Sequence, residues 1–155
     1  MKARLDPYKA APAVMKAIIA LENFVASCGL DPRLMELVRL RASEINGCAY
    51  CVHMHSRDAR AKGESDERLL QLAVWRESPV YTDAERAALA WTEALTLLPA
   101  TRAPDDVFEE LHRHFSDEDI VKLTTLIGMI NLWNRIGVGF RLVPHAQAPK
   151  ASAAE

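Results

Sequence analysis

The sequence lacks the features that mark several large classes of protein. Its formal net charge is only −2, so there is no basic excess of the kind that indicates binding to nucleic acid or to an anionic membrane surface. Its most apolar stretch, residues 120–138, is interrupted by Lys122 and Arg135 and is predicted to be a buried helix rather than a membrane span. The chain shows no signal-peptide pattern, so a cytoplasmic protein is expected.

Cysteine is also scarce in this sequence. Three cysteines are an odd number, which argues against a framework of structural disulfides. Cys48 and Cys51 form a C-x-x-C pair, and in a reducing cytoplasm this spacing indicates redox or metal chemistry rather than a structural bridge. Cys28, near the end of an apolar segment, is expected to be a buried and inert thiol.

The composition and patterning predict an all-α fold. Only six of the 155 residues are glycine, Ala and Leu are abundant, and no segment keeps the alternation of apolar and polar residues that a half-buried strand needs. The length suits one domain with its own core, predicted to span residues 1–145. Residues 1–10 are expected to be loosely ordered, and the Ala/Pro/Ser-rich residues 146–155 are expected to form a disordered tail.

Helix-capping residues, prolines and glycines divide the chain into a predicted bundle of six to seven helices. These cover about residues 12–28, 32–46, 48–62, 66–75, 83–97, 104–114 and 117–137. Apolar residues cover most of the circumference of the last helix, which indicates that it lies in the centre of the domain or partly in a subunit interface. A homo-oligomer is therefore expected.

Cys48 and Cys51 begin the third predicted helix, directly after Gly47. Three residues along a helix bring their side chains within about 60° of each other on its surface, which is close enough for a disulfide after modest rearrangement. The unpaired N–H groups and the partial positive charge of a helix N-terminus stabilise a thiolate. A thiolate is the nucleophile that peroxide reduction or disulfide exchange requires.

A histidine and a carboxylate can complete this site. His55 follows Cys51 by four residues and returns to the same helix face, whereas His53 points about 140° away from Cys48. An imidazole in this position can accept or relay a thiol proton near neutral pH. The preceding helix offers Glu36 and Glu44, between which spacing alone does not choose. Glu36 lies among apolar residues, so burial is expected to raise its pKa.

Together these residues resemble a known motif. Glu36, Cys48, Cys51 and His55 match the pattern E-x11-C-x-x-C-x-x-x-H of the alkylhydroperoxidase D-like proteins, which belong to the carboxymuconolactone decarboxylase-like superfamily. The resemblance covers about residues 34–96. The segments similar to the family are LVRLRASEINGCAYCVHMHSRDARAKGES, ERAALAWTEALT and, further on, NLWNRIGV. It implies an all-α fold with a helical hairpin at the dithiol and assembly into trimers or hexamers.

The resemblance also implies an activity and a role for each site residue. The protein would be a thiol-dependent peroxidase of antioxidant defence, in which Cys51 reacts with a small hydroperoxide and Cys48 acts as proton donor and resolving thiol. Glu36 and His55 would form the proton relay. No cofactor is implied beyond the redox-active Cys48–Cys51 disulfide, and a protein thiol or small thiol would supply the electrons. Tyr50 departs from the best-studied family pattern, which has histidine at that position.

Four other interpretations of the dithiol stay open at this point. The first is a thiol-disulfide carrier that serves a separate peroxidase. The second is a lyase of the carboxymuconolactone decarboxylase type, which would use acid/base groups and gives no reason for two thiols. The third is a zinc site formed by Cys48, Cys51 and His55, for which no fourth ligand is evident nearby. The fourth is a pair of inert buried thiols.

Overall fold

The fold is all-α, as the sequence predicts. The computed structural model describes residues 2–143, and within that range it contains helices and short connections but no strand. The helices are α1 (Pro7–Ala10), α2 (Pro12–Ala26), α3 (Pro32–Ile45), α4 (Ala49–Ala61), α5 (Asp66–Gln71), α6 (Asp83–Thr96), α7 (Leu98–Thr101), α8 (Asp105–His112) and α9 (Asp117–Phe140), with a 3-10 helix (Leu72–Val74) after α5.

All seven predicted helices are present, and their starts follow from capping chemistry. Side-chain oxygens of Asp31, Ser65 and Ser116 accept hydrogen bonds from backbone N–H groups in the first turns of α3, α5 and α9. Thr82 and Glu85 form the reciprocal capping box of α6, which satisfies two otherwise unpaired N–H groups. The fourth predicted helix is divided between α5 and the 3-10 helix.

The N-terminal segment is better ordered than expected. Asp6 accepts hydrogen bonds from the backbone N–H groups of Tyr8 and Lys9, and Pro7 occupies the first position of α1. The backbone N–H of Arg4 also donates to the carbonyl of Phe140 at the end of α9, over 2.9 Å. The prediction of loose order for residues 1–10 is therefore wrong for the part of this range that is described. The predicted tail, residues 146–155, lies outside the described residues.

Helix α3 lies at the centre of the bundle, packed against α4, α6 and α9. Leu34 and Val38 join a core cluster with residues of α2, α6 and α9, while Leu37 and Leu40 join a second cluster with the 3-10 helix and α6. Because both sets are buried, α3 has almost no exposed face. Its polar residues are consequently buried as well and must find partners inside the protein.

Helix α9 lies in the interior along one side and is exposed along the other. It packs against α2, α3, α4, α6 and α8, and Leu123, Leu126 and Ile130 are buried. Val121 and Leu132 are exposed. No helix within residues 2–143 combines the length and the apolar character that crossing a membrane requires.

Candidate active site

The turn between α3 and α4 positions the two cysteines. Gly47 adopts a left-handed backbone conformation, with φ of +65°, which glycine adopts without steric cost. Cys48 is the N-cap of α4, and its Sγ accepts a hydrogen bond from the N–H of Cys51 over 3.3 Å. The dithiol therefore lies at a helix N-terminus, as predicted, where the helix dipole favours negative charge.

Cys48 and Cys51 are joined by a disulfide, with their Cα atoms 5.3 Å apart. Both residues are almost fully buried, at 1% and 2% exposure. Gly137 of α9 packs directly against them, because a Cβ at this position would lie 2.7 Å from Cys48 Sγ and 3.3 Å from Cys51 Sγ. The last helix, predicted to run to about Gly137 or beyond, continues to Phe140, and Gly137 is an interior residue of α9 that makes room for the disulfide.

An amide cluster, formed by the side chains of Asn46, Asn131 and Asn134, connects the α3–α4 turn to α9. The Nδ2 group of Asn46 lies 3.0 Å from Asn131 Oδ1 and 2.9 Å from Asn134 Oδ1. Asn134 Nδ2 in turn donates to Ser43 Oγ on α3 over 3.0 Å. These bonds connect the C-terminal end of α3 and the start of the α3–α4 turn to the helix that carries Gly137, so the position of the dithiol also depends on α9.

His55 and Glu36 form a buried pair between α4 and α3. The Nδ1 atom of His55 lies 2.8 Å from Oε2 of Glu36, and both residues are buried. Glu44, the other candidate carboxylate, instead accepts from Arg41 over 3.1 Å. His53 is exposed. The geometry thus pairs Glu36 with His55, and His55 borders the same cavity as Cys51.

Glu36 is held ionised by three donors. Burial by itself would raise the pKa of Glu36, but hydrogen bonds from His55 and Lys62, together with the charge of Arg39, lower it to about 2. The expectation that burial would raise this pKa is therefore wrong, since the donors outweigh the loss of solvation. An ionised carboxylate only accepts hydrogen bonds, so Nδ1 of His55 carries a proton and Nε2 is the ring nitrogen available for proton transfer.

The pair belongs to a larger charged network. Arg39 donates through Nη1 to Glu36 over 3.0 Å and through Nη2 to Glu22 of α2 over 2.7 Å. The indole N–H of Trp133 on α9 donates to the other oxygen of Glu22 over 3.0 Å. Four helices therefore contribute to the electrostatic surroundings of His55.

A cavity of about 600 Å³ lies beside this network. Cys51 and His55 border it, and Cys48 does not. Arg39 and Glu22 contribute polar groups to its lining. Most of the wall is apolar or aromatic, formed by Leu5, Tyr8, Ile19, Met54, Ile130, Trp133, Leu142 and Val143. A small, largely apolar molecule in this cavity would meet Cys51 first.

The zinc alternative named Cys48, Cys51 and His55 as ligands. In the disulfide the two sulfurs are bonded to each other, and a disulfide sulfur is not the thiolate that zinc requires. Across residues 2–143, no group of three or more His, Cys, Asp or Glu side chains is arranged to hold a metal ion.

Sequence reasoning missed five residues of this site: Arg39, Lys62, Gly137, Glu22 and Trp133. Two of them carried a signal, because Arg39 follows Glu36 by three residues and Lys62 follows His55 by seven, both spacings that place side chains on one helix face. The other three reach the site from α2 and α9 through tertiary packing. Tyr50, the departure from the family pattern, is half-buried and borders the cavity.

These features define an all-α protein with a buried C-x-x-C disulfide beside a His–Glu pair, and sequence comparison identifies its family. A sequence model of the Carboxymuconolactone decarboxylase family matches residues 12–94, more than half of the chain. The uncharacterized protein YdfG of Bacillus subtilis is 37% identical over 138 residues, which cover 89% of this chain and 94% of YdfG. The chain therefore belongs to the carboxymuconolactone decarboxylase family, and its resemblance to the alkylhydroperoxidase D-like members is confirmed.

Solved structures support the same relationship. The protein ATU0492 of Agrobacterium tumefaciens, whose function is unknown and whose suggested identity is the antioxidant defence protein AhpD, is 53% identical with a TM-score of 0.92. The match covers 94% of this chain and all of that one. An uncharacterized peroxidase-related protein of Ralstonia eutropha, with an AhpD core, shares the fold at 23% identity and a TM-score of 0.79, over 90% of this chain and 75% of its own.

Proposed function

We propose that this protein is a thiol-dependent peroxidase that reduces small organic hydroperoxides. The observation that carries the proposal is that Cys51 borders the cavity together with His55 and already forms a disulfide with Cys48. A cavity with a nucleophile, a titratable base and mostly apolar walls suits a small, largely apolar substrate. The suggested antioxidant role of the Agrobacterium relative points in the same direction.

In the first chemical step, the Cys51 thiolate attacks the terminal oxygen of the hydroperoxide ROOH. The O–O bond breaks, Cys51 becomes a sulfenic acid, and the leaving alkoxide takes a proton to become the alcohol ROH. His55 supplies that proton from Nε2 when the ring is doubly protonated. Glu36, ionised at neutral pH, fixes the orientation of the ring through the bond to Nδ1.

In the second step, the Cys48 sulfur attacks the Cys51 sulfur. The S–O bond breaks, water leaves, and the Cys48–Cys51 disulfide forms. The two electrons that reduced the peroxide have then come from the two thiols. An external thiol reductant restores them by disulfide exchange, so the cycle uses the dithiol as its redox group and requires no further cofactor.

The burial of the two sulfurs and the cavity beside Cys51 support the proposal that the oxidant is a small molecule. Cys48 and Cys51 are nearly inaccessible from the surface, and the cavity gives small molecules a route to Cys51. The Cys48–Cys51 disulfide is then reduced by a small thiol that enters the same cavity, or by a protein thiol after local opening of the start of α4. The reducing environment that this cycle needs is consistent with the predicted cytoplasmic location.

We also propose that the chain assembles with further copies of itself. Phe24 on α2 and Val121 on the neighbouring helix α9 are exposed and line one surface depression, and Leu21 of α2 and Leu132 of α9 are also exposed. Exposed apolar groups on adjacent helices are typical of subunit contacts. Light scattering after gel filtration distinguishes a trimer or hexamer, the forms that the family resemblance implies, from a monomer.

The test is rapid oxidation of the reduced protein by cumene hydroperoxide, tert-butyl hydroperoxide and hydrogen peroxide, followed by mass-spectrometric mapping of the disulfide. Wild type should react and form the Cys48–Cys51 bond, Cys51→Ser should lose the reaction, and Cys48→Ser should consume peroxide once without forming a disulfide. A normal rate in Cys51→Ser would contradict the proposal. Reaction with none of the peroxides would favour the carrier function, and turnover of a lactone acid by Cys48→Ala/Cys51→Ala would favour the decarboxylase.

A further inference from the structure

The His55–Glu36 pair has one charged neighbour that faces the solvent. Glu36 and His55 have side-chain exposures of 3% and 8%, and Arg39 has 7%, whereas the side chain of Lys62 is 38% exposed. Lys62 nevertheless hydrogen-bonds through Nζ to Oε1 of Glu36, the same oxygen that Arg39 contacts. It does not border the cavity, whereas His55 and Arg39 do.

The end of α4 fixes Lys62 in this position. Lys62 is the C-cap, and its backbone N–H donates to the carbonyls of Asp58 and Ala59. Gly63 then adopts a left-handed conformation, with φ of +88°, and the N–H of Glu64 returns to the carbonyl of Ala59 over 3.0 Å. This arrangement ends the helix in the way that glycine permits and leaves Lys62 on the helix face that carries His55.

The charge balance of the site depends on this lysine. Glu36 and Glu22 contribute two negative charges, which Arg39 and Lys62 neutralise while the ring of His55 is uncharged. Removal of Lys62 leaves the cluster with one unbalanced negative charge. The charge is buried, so solvent screens it only weakly. A more negative site retains protons more strongly, so each deprotonation within it moves to higher pH.

We propose that Lys62 is a positioning residue of the active site, which balances the negative charge of Glu36 through its hydrogen bond to Oε1 and thereby sets the pH at which Cys51 becomes reactive. This inference rests on the proposed thiol chemistry and names a residue that acts through Glu36 and His55 rather than on the substrate. Arg39 does not replace it, because its second donor is bound to Glu22.

Other titratable groups surround Glu36 and border the cavity with Cys51, and the variants used in a test must leave these groups unchanged. Around Glu36 they are His55 and Lys62 from α4, and Arg39 from α3. Helix α9 contributes Ile130 and Trp133 to the cavity wall, which do not titrate. The titratable or charged side chains that border the cavity with Cys51 are Asp6, Tyr8, Glu22, Arg39, Tyr50 and His55.

The experiment measures the pH dependence of Cys51 alkylation by iodoacetamide in the reduced protein, with the modified peptide identified by mass spectrometry. Four proteins are compared: wild type, Lys62→Met, Lys62→Arg and Arg60→Met. Arg60 is an exposed cation of the same helix that pairs with Asp66 outside the site, so it controls for the loss of one surface charge. Thermal unfolding of each variant shows that the fold is retained.

The Lys62→Met profile should move to higher pH by about one unit, so that alkylation below the midpoint is about tenfold slower. Lys62→Arg should restore the wild-type profile, and Arg60→Met should leave it unchanged. Equal profiles for Lys62→Met and Arg60→Met would overturn the inference. Alkylation needs no peroxide, so this result stands apart from the peroxidase proposal: failure of the reduced wild type to react with any hydroperoxide overturns the function, while an unshifted Lys62→Met alkylation profile overturns only the role of Lys62.

Discussion

Gly137 of α9 lies so close to Cys48 that a single added carbon at its Cβ position would come within 2.7 Å of the sulfur. Such a distance is shorter than non-bonded carbon and sulfur atoms tolerate, so a side chain at position 137 must displace the disulfide or separate α9 from α4. A glycine inside a long helix costs about 1 kcal/mol relative to alanine. Its presence here has a local reason, which is close packing against the dithiol.

Gly137→Ala should destabilise the oxidised protein by about 1–3 kcal/mol, the usual result of overfilling a packed site. Gly128 is the matched control, because it lies in the same helix with nothing within 4 Å of its Cβ position. Gly128→Ala should stabilise the protein slightly through helix propensity. Denaturant unfolding of both variants measures the difference, and equal effects would refute the close contact.

Asn134→Ala should destabilise the protein by about 1–3 kcal/mol, because it removes one hydrogen-bond partner from Ser43, which is buried, and one from Asn46, which is half-buried. The same substitution at Asn23, which is exposed on α2, should change stability by less than about 0.5 kcal/mol. Denaturant unfolding again provides the measurement. If the two asparagine variants were equally stable, the amide cluster would not stabilise the packing of the α3–α4 turn against α9.

The low pKa of Glu36 predicts a specific dependence of stability on pH. Its pKa is lowered from 4.5 to about 2 in the folded protein, so its stabilising contribution is complete above 4.5 and is lost as the pH falls towards 2. The difference corresponds to about 3 kcal/mol. Wild type should therefore lose more stability than Glu36→Gln between pH 5 and pH 2. Parallel curves for the two proteins would show that Glu36 titrates normally.

The cavity should determine which hydroperoxides react quickly. Ile19→Trp narrows it, so the rate with cumene hydroperoxide should fall by about tenfold or more, while the rate with hydrogen peroxide changes little. Val14→Trp is the control, because Val14 is exposed on the same helix and does not border the cavity. The ratio of the two rates is the readout. An unchanged ratio in Ile19→Trp would mean that the substrate approaches Cys51 by another route.

Much of this arrangement follows from local sequence rules. Helix periodicity placed His55 with the dithiol and His53 outside it, and capping residues such as Asp31 and Ser116 marked helix starts. The choice of Glu36 over Glu44 was not accessible to spacing, because it depends on how α3 is rotated relative to α4. The family resemblance favoured Glu36, and the bond between His55 and Glu36 gives the physical reason.

Other features were beyond sequence reasoning because they depend on contacts between distant helices. Burial alone predicts a raised pKa for Glu36, whereas the hydrogen bonds from His55 and Lys62 and the charge of Arg39 lower it. Gly137 lies near the predicted end of the last helix, where glycine is common, and nothing in the local sequence indicates its contact with the two sulfurs. The order of the N-terminal segment could have been recognised, because Asp6-Pro7 repeats the capping pattern of Asp31-Pro32.

The most direct test of the account is to trap the product of the first chemical step. In Cys48→Ser the resolving thiol is absent, so the sulfenic acid formed from a hydroperoxide should persist long enough to react with dimedone. After one equivalent of cumene hydroperoxide, mass spectrometry should find the dimedone adduct on Cys51 and little on Cys28. An adduct on Cys48 in Cys51→Ser at the wild-type rate, or no adduct on Cys51, would contradict the assignment of Cys51 as the peroxide-reactive thiol.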